Sequence, residues 1–552
     1  MRSRTSWRYS ALALVWLAAS LAPLANAKVA YSQIRVPAES GAGDEQISPI
    51  LQRGQQLERD RRWGEAVAHY EDAAKQFPER RELIDRATLA RAHFDVARRY
   101  GDESFHRALT NPEDKTLETF VEVTQKINTH YVTAPNWHDL VRRGTFMLEV
   151  ALTESSFLDK HLAAVSADRI NAFRTELRRM TDTTPIRSRF DARDAVAAAA
   201  RMAQRQIQLS STAVIWEYVC GAMSSLDEYS GFLTAAQLDD VFSQIEGNFV
   251  GLGIELKSDN QSLLIVNVIT GSPADKGGLR KNERIIGVDG KSTRDIPTDA
   301  AADMLKGVEN TRVMVEVEGT NGVVRQVQLL RERVDVPSVE EVKMMDPEAG
   351  TGYFRLTSFQ KTTSKDVDTA LWQLHRQGMK SLIIDVRGNP GGLLTASVEV
   401  ADKFLAAGTI VRTHGRNQNE DFDYKAHNVG TWKTPLVVLI DGDSASASEI
   451  FAGAIRDHQR GKIVGQRSYG KGSVQGIFPL GTSEAGVRIT TAKFYSPSGQ
   501  AISQKGVSPD ILVRAAAKPT VDGKFVPASP QEDPVLRAGM QAARNLSLSQ
   551  RP

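Results

Sequence analysis

Two apolar runs constrain this chain more than any other feature. Leu436-Val-Val-Leu-Ile440 has no polar alternation, so it reads as a strand buried on both faces. Ser381-Leu-Ile-Ile-Asp-Val386 reads as a second such strand. Each is followed by a turn and then by a helical pattern. Arg387-Gly-Asn-Pro-Gly-Gly392 leads into a helix over Leu394 to Ala406, and Asp441-Gly-Asp443 into one from Ala447 to about Asp457. A strand over Gly352–Leu356 and an amphipathic helix over Thr363–Arg376 precede them. This alternation predicts an α/β layer with parallel strands, whose chemistry belongs where strands end and helices begin.

At one such junction stands Asp443-Ser-Ala-Ser446-Ala-Ser-Glu449. Ser446 at a helix N-terminus has an accessible hydroxyl, and first-turn amides face any negative charge that develops there. The competing reading of Ser444, Ser446 and Ser448 is helix capping. A second stretch, Tyr469-Gly-Lys471-Gly-Ser-Val-Gln475, supplies a lysine 25 positions on. A serine hydroxyl needs a neighbour to take its proton, and a buried, neutral lysine amine can serve. Gln475, four residues beyond Lys471, would hydrogen-bond that amine if the segment were a helix or tight loop; otherwise it is a surface glutamine. Gly388, Gly391 and Gly392 let the backbone turn sharply and offer unshielded amides. One of these, with the Ala447 amide, would make an oxyanion hole; the alternative is a plain tight turn.

Lys471 has a rival role. Gly465-Gln-Arg-Ser-Tyr-Gly470-Lys471 reads G-x-x-x-x-G-K, most of a phosphate-binding loop. Gly472 stands where a Ser or Thr should ligate magnesium, however, and Ser473 is one place late. No Asp-ended apolar strand downstream offers a second nucleotide motif. A Ser-His-Asp triad would draw on His414 or His427, which lie in the polar segment 412–433, expected to be a surface loop. No H-E-x-x-H metalloprotease motif occurs.

The N-terminus carries a targeting pattern. Arg2, Arg4 and Arg8 precede an apolar run from Ala11 to Leu24, and Ala25-Asn-Ala27 reads as a cleavage site. The run is shorter than the ~20 residues a membrane span needs, and Pro23 interrupts it. The expectation is a signal peptide over 1–27, cleavage after Ala27 and export, with membrane association left open. The lone cysteine, Cys220, allows no internal disulfide and lies in an apolar run, as a packed core residue would. With 69 basic and 67 acidic residues, nothing calls for a nucleic-acid partner. Apolar residues at 41% of 552 support several folded cores.

Between leader and layer the texture changes twice. Residues 28–46 read as a polar linker, and helical patterning follows to about 235, ending at the turn-like Leu226-Asp-Glu-Tyr-Ser-Gly231. Gly54, Ala66, Tyr70, Ala73 and Pro78 fall at the spacings of a tetratricopeptide repeat, though an ordinary helical hairpin fits as well. No second copy is visible, so the hairpin is expected to pack on the helices after it. From about 247 to 334 short β-runs take over. Strand runs at Phe249–Leu256, Leu263–Val266 and Arg284–Val288 precede a helix over Thr298–Leu305 and closing strands at Val313–Val317 and Val323–Leu330. This order resembles a PDZ domain of the bacterial type. There Gly251-Leu252-Gly253 would offer amides to a peptide's terminal carboxylate, the peptide adding as a strand. Asn282-Glu283 departs from the family's usual Gly-Asp. Lys306 stands where many protease-linked members have Arg, and lysine lacks the bidentate fork.

Taken together, several motifs in register resemble the carboxyl-terminal processing peptidases, the tail-specific serine proteases. They are Leu226-Asp-Glu-Tyr-Ser230, Val250-Gly-Leu-Gly-Ile254, Asp385-Val-Arg-Gly-Asn-Pro-Gly-Gly392, Ser444-Ala-Ser-Ala-Ser-Glu-Ile450, Tyr469–Gln475 and Gly499–Asp510, spanning about 205–513. The resemblance implies a multidomain α+β protein: a helical N-terminal region, a β-rich PDZ domain and an α/β protease core of the crotonase-like, processing-peptidase type. It implies Ser446 as nucleophile, Lys471 as general base, Gln475 orienting the lysine, and Gly392 and Ala447 amides as the oxyanion hole. It further implies exported or periplasmic cleavage of proteins near their C-termini, bound by Gly251, Leu252 and Gly253, with no cofactor, metal, nucleotide or nucleic acid. The expected organisation is a TPR-like helical hairpin at 47–115, helices leading into the protease at 116–240, the PDZ domain at 241–335, the protease core at 336–515 and a tail at 516–552. The helical N-terminal part suggests a surface for an adaptor or for self-association. The alternative from another class is a catalytically silent PDZ scaffold, which predicts a missing nucleophile or base; both are present.

Overall fold

The computed structural model describes residues 13–14, 44–259, 262–293, 304–427, 430–514 and 533–549. The expected leader lies outside these apart from Ala13–Leu14, a two-residue strand antiparallel to Gly476-Ile477. No described helix is long and apolar enough to cross a membrane. The chain forms two compact units: one comprising residues up to Leu238 with Thr413–Phe422 and Ser473–Phe494, the other comprising Asp239–Arg412, Asp423–Gly472 and Tyr495 onward.

The first unit is mainly helical. The expected repeat-like hairpin is the pair Asp44–Arg59 and Trp63–Gln76. Its five-residue pattern has a steric basis: a side chain at Gly54 would run into the Tyr70 ring, which is fully buried beside Ala66, Ala73 and Ala74. Leu83, Ala87 and Ala90 of the next helix, Arg81–Tyr100, complete that core. The long helical pattern before Leu226 is two helices, Arg189–Ile207 and Ser211–Ser224, separated where Gln208 takes a left-handed conformation. Ser211–Ser224 is buried on all sides through Met223 and includes Cys220, whose thiol burial pushes up to about 12. Leu480, Ala485, Val487 and Ile489 join the same helical core. This is why the strands Ser473–Pro479 and Gly486–Tyr495 group chiefly with this unit and not with the α/β layer.

The second unit holds two sheets that bear on function. In the first, Ile254–Asp259, Ser262–Val268, Arg284–Val288, Arg312–Glu318 and Val324–Leu330 are successive antiparallel neighbours. Val313, Val315 and Val317 alternate inward, as a half-buried strand requires. A short pair, Asn248–Gly251 with Glu332–Asp335, joins the chain's entry to its exit. The helix expected over Thr298–Leu305 lies mostly outside the described residues. The second sheet runs Val339–Asp346, Thr351–Leu356, Ser381–Asp385, Leu436–Ile440, Lys462–Gly465, Ile511–Leu512. Its first pair is antiparallel and all later pairs are parallel. The helices Thr363–Arg376, Leu394–Asp402 and Ala447–Asp457 follow their strands as expected.

Two expectations need correction, and the tail gains an element. The segment 412–433 is not simply a surface loop: strands Thr409–Gly415 and Phe422–Lys425 run into it, and Thr413 and Glu420 within it are buried. Gln475 lies on neither helix nor tight loop nor surface; it is buried on the strand Ser473–Pro479. The expected tail contains the helix Pro534–Ser549, whose Val535, Leu536, Ala542 and Ala543 pack against Ile383, Val437 and Leu439 of the parallel sheet.

Candidate active site

Three loops leave the same ends of three adjacent parallel strands, Ser381–Asp385, Leu436–Ile440 and Lys462–Gly465. They are the glycine loop 386–392, the serine turn 441–446 and the lysine loop 466–472. Backbone and hydroxyl hydrogen bonds fasten the first two together. The Ala445 amide donates to the Asn389 carbonyl at 3.0 Å. The Ser448 hydroxyl donates to the same carbonyl at 2.9 Å, and the Ser444 hydroxyl to the Val386 carbonyl at 2.8 Å. The lysine loop joins them where the Tyr469 amide donates to the Ser444 carbonyl at 3.0 Å.

These bonds sort the three serines. Ser444 and Ser448 spend their hydroxyls on carbonyls of the glycine loop. Ser446 is fully buried, yet its Oγ has no hydrogen-bond partner among the described residues. Its backbone, at φ 59° and ψ −112°, is sparsely populated for a residue with a side chain. A strained turn from strand into helix is how a nucleophilic serine is held out from its backbone. Neither His414 nor His427, both exposed, hydrogen-bonds this hydroxyl.

Glu449 ties the serine turn to the lysine loop. It stands three residues into the helix from Ser446, the S-x-x-E spacing of a capping box, and is fully buried. Only the carboxylate half of that box satisfies its donor: Oε2 accepts from the Ser446 amide at 2.7 Å, while Ser446 Oγ stays unpartnered. The same Oε2 accepts from the Lys471 amide at 2.9 Å. Oε1 accepts from the Gly470 amide at 2.7 Å and the Ser468 hydroxyl at 2.6 Å. The amides of the G-x-x-x-x-G-K loop therefore do form an anion nest, but the protein's own carboxylate fills it, which leaves no place for a phosphate. Lys471 is itself buried. Ser446 Oγ makes no hydrogen bond to its Nζ in this state.

The glycine loop presses against the serine. A Cβ on Gly391, at φ +110°, would lie 2.8 Å from Ser446 Cβ and 3.1 Å from the Ala447 nitrogen. One on Gly392 would lie 2.0 Å from the Phe359 carbonyl oxygen. Only glycine fits at either position. The Gly391 amide donates to the Asn389 side chain, but no described residue accepts from the amides of Gly392 or Ala447. Gln475 donates from its side-chain amide to Ser473 Oγ at 3.0 Å and Thr490 Oγ1 at 3.3 Å, and Thr490 in turn donates to Asp227 of the Leu226–Ser230 motif.

At the first sheet, the carbonyls of Leu252 and Gly253 accept from Ala274 and Ile269, whereas no described residue accepts from their amides. Gly251 ends the preceding short strand. The departure at Asn282-Glu283 has a structural use: Asn282 takes φ +71°, which asparagine tolerates, and Glu283 pairs with both terminal nitrogens of Arg325 at 2.8 Å. The Lys306 ammonium lies 3.9 Å from Asp240.

Sequence reasoning assigned no role to Glu449 or Asn389. The capping-box spacing from Ser446 was the available signal for Glu449. Asn389 gave none, because its work is to bridge Leu356, Gly391 and Ala445 in the folded loop.

Comparison with known proteins gives two family matches and a set of relatives. Residues 350–513 match the model of peptidase family S41 and residues 240–318 that of the PDZ domain. A carboxy-terminal-processing protease of Bartonella bacilliformis is 39% identical over 299 residues, covering 53% of this chain and 68% of that one. A carboxyl-terminal-processing protease of Synechocystis sp. is 37% identical over 267 residues, covering 48% and 62%. Among solved structures, a photosystem II D1 C-terminal processing protease is 25% identical with a TM-score of 0.41, covering 78% of this chain and 98% of that one.

Proposed function

Because this chain belongs to the carboxyl-terminal-processing proteases of peptidase family S41, we propose that it is an exported serine endopeptidase that cleaves proteins near their C-termini through Ser446 and Lys471. The observation that carries the assignment to Ser446 is its buried hydroxyl, without a partner at the strained turn, while its two neighbouring serines are engaged.

In this reading Ser446 Oγ attacks the scissile carbonyl carbon as Lys471 Nζ takes its proton. The negative charge that develops on the carbonyl oxygen is met by the amides of Gly392 and Ala447 and by the helix N-terminus. Lys471 returns the proton to the departing amine, and the acyl-serine remains. Water, deprotonated by the same lysine, then attacks the acyl carbon; the acyl–oxygen bond breaks as the lysine passes that proton to Ser446 Oγ, and the carboxylic acid product leaves. The Ser446–Lys471 hydrogen bond forms as substrate enters, since catalytic contacts commonly tighten only in the complex. Gln475 orients the lysine, and the PDZ amides at Gly251–Gly253 hold the substrate's terminal carboxylate. The leader directs the chain out of the cytoplasm, so a mature N-terminus at Lys28 is expected on sequencing. The helical hairpin serves as a surface for an adaptor or a second copy, which cross-linking of the exported protein would detect.

Lys471→Ala, incubated with an unfolded protein substrate, is expected to lose cleavage by at least about a hundredfold, the scale of general-base catalysis. Full retained cleavage would exclude Lys471 as the base.

A further inference from the structure

Arg387 stands near the start of the glycine loop, and its side chain is held in part from outside the protease region. Its guanidinium is buried between two carboxylates. Nε and Nη2 donate to Asp385, at 2.9 and 2.6 Å, and Nη1 donates to Asp533 Oδ1 at 3.0 Å. Asp385 is the last residue of its strand, and the Tyr353 hydroxyl donates to it. Asp533 lies twenty residues beyond the S41 match, which ends at 513. It is only 5% exposed, and its Oδ1 also accepts from the amides of Val535 and Leu536 at 3.0 Å. One carboxylate thus caps the helix Pro534–Ser549 and clamps the arginine of the glycine loop.

The helix is seated independently of that clamp. Its Gly539 approaches so closely that a Cβ there would lie 2.7 Å from Leu439 Cδ2, and Leu439 belongs to the strand that leads to Ser446. Removing the Asp533 carboxylate would leave a buried guanidinium short of a partner. Of the two carboxylates, only Asp385 would then hold Arg387, and the loop that leads to Gly392 would lose one of these two anchors.

We propose that Asp533 is a positioning residue for the glycine loop, so that the C-terminal helix sets how well the oxyanion-binding amide is aimed. The proposal rests on the reading of Gly392 as an oxyanion donor. It requires a defect in turnover, not in substrate binding, because a misaimed donor acts on the transition state.

The test uses the full-length mature chain and an unfolded protein substrate. Asp533→Asn keeps the size of the side chain and removes its charge. It is expected to lower kcat about ten- to a hundredfold, the scale of a small misplacement at an active site, with KM changed by less than about twofold. Asp533→Glu, which keeps the charge, is expected to restore most of kcat. Ala543→Gly weakens the same helix ten residues beyond the clamp; it should lower the unfolding midpoint and leave kcat unchanged. An unchanged kcat in folded Asp533→Asn overturns the proposal. So does a loss of kcat that Ala543→Gly reproduces at equal loss of stability, or one that Asp533→Glu does not relieve. Activity surviving in Ser446→Ala would instead overturn the catalytic reading itself, so the two failures are distinguishable.

Discussion

Burial pushes the Glu449 carboxyl up to about 7, outweighing the four hydrogen bonds that favour its ionised form. The unfolded carboxyl titrates near 4.5. Between these values the folded state holds a proton that the unfolded state has released. The stability this group contributes is therefore complete below about 4.5 and is lost as pH rises to about 7. Function has the opposite sign. Only the ionised carboxylate can accept on both oxygens from Ser446, Ser468, Gly470 and Lys471, so kcat is expected to rise through about pH 7. Glu449→Gln turns an NH2 group against the Gly470 amide in one orientation, or against the Ser446 and Lys471 amides in the other. Its kcat should be lower, by roughly tenfold, and its pH profile should lack that limb. A variant profile superposable on the native one would show that Glu449 does not couple the two loops.

At the scale of elements, the glycine loop and serine turn behave as one body, because Asn389, Ser444 and Ser448 cross-bond them. Gly391→Ala forces a methyl against Ser446 and against backbone atoms that cannot yield, at a φ alanine rarely adopts. The expected result is about a hundredfold loss of kcat with about 1–3 kcal/mol of lost stability, read from kinetics and a urea unfolding curve. Near-native activity would mean the loop relaxes independently of the serine. The loops were legible in the sequence because Leu436–Ile440 lacks polar alternation, so its end and the helix after it could be placed. The strand of Gln475 was not. Ser473–Ile477 is buried on both faces, yet it carries Ser, Gln and Gly, and its polar groups are satisfied only by partners such as Thr490. The helix Pro534–Ser549 was missed for a related reason: its apolar face makes sense only against Ile383, Val437 and Leu439, far away in sequence.

At the scale of the whole molecule, a peptide-binding module and a hydrolytic site lie on one chain, and in this state Ser446 and Lys471 are both buried. Substrate has to gain access, and we propose that the PDZ domain gates it. Deleting residues 247–334 is then expected to change the cleavage rate and to abolish the preference for a free over an amidated substrate C-terminus. A deletion that left both unchanged would end the gating proposal. The central claim, however, is the identity of the nucleophile. It is tested most directly by comparing Ser444→Ala, Ser446→Ala and Ser448→Ala as purified mature proteins on one unfolded substrate, with products mapped by mass spectrometry. Ser446→Ala is expected to yield no product above background, while the other two, whose hydroxyls bond only the glycine loop and Asp441, keep measurable turnover at the same sites. Cleavage persisting in Ser446→Ala would contradict the account.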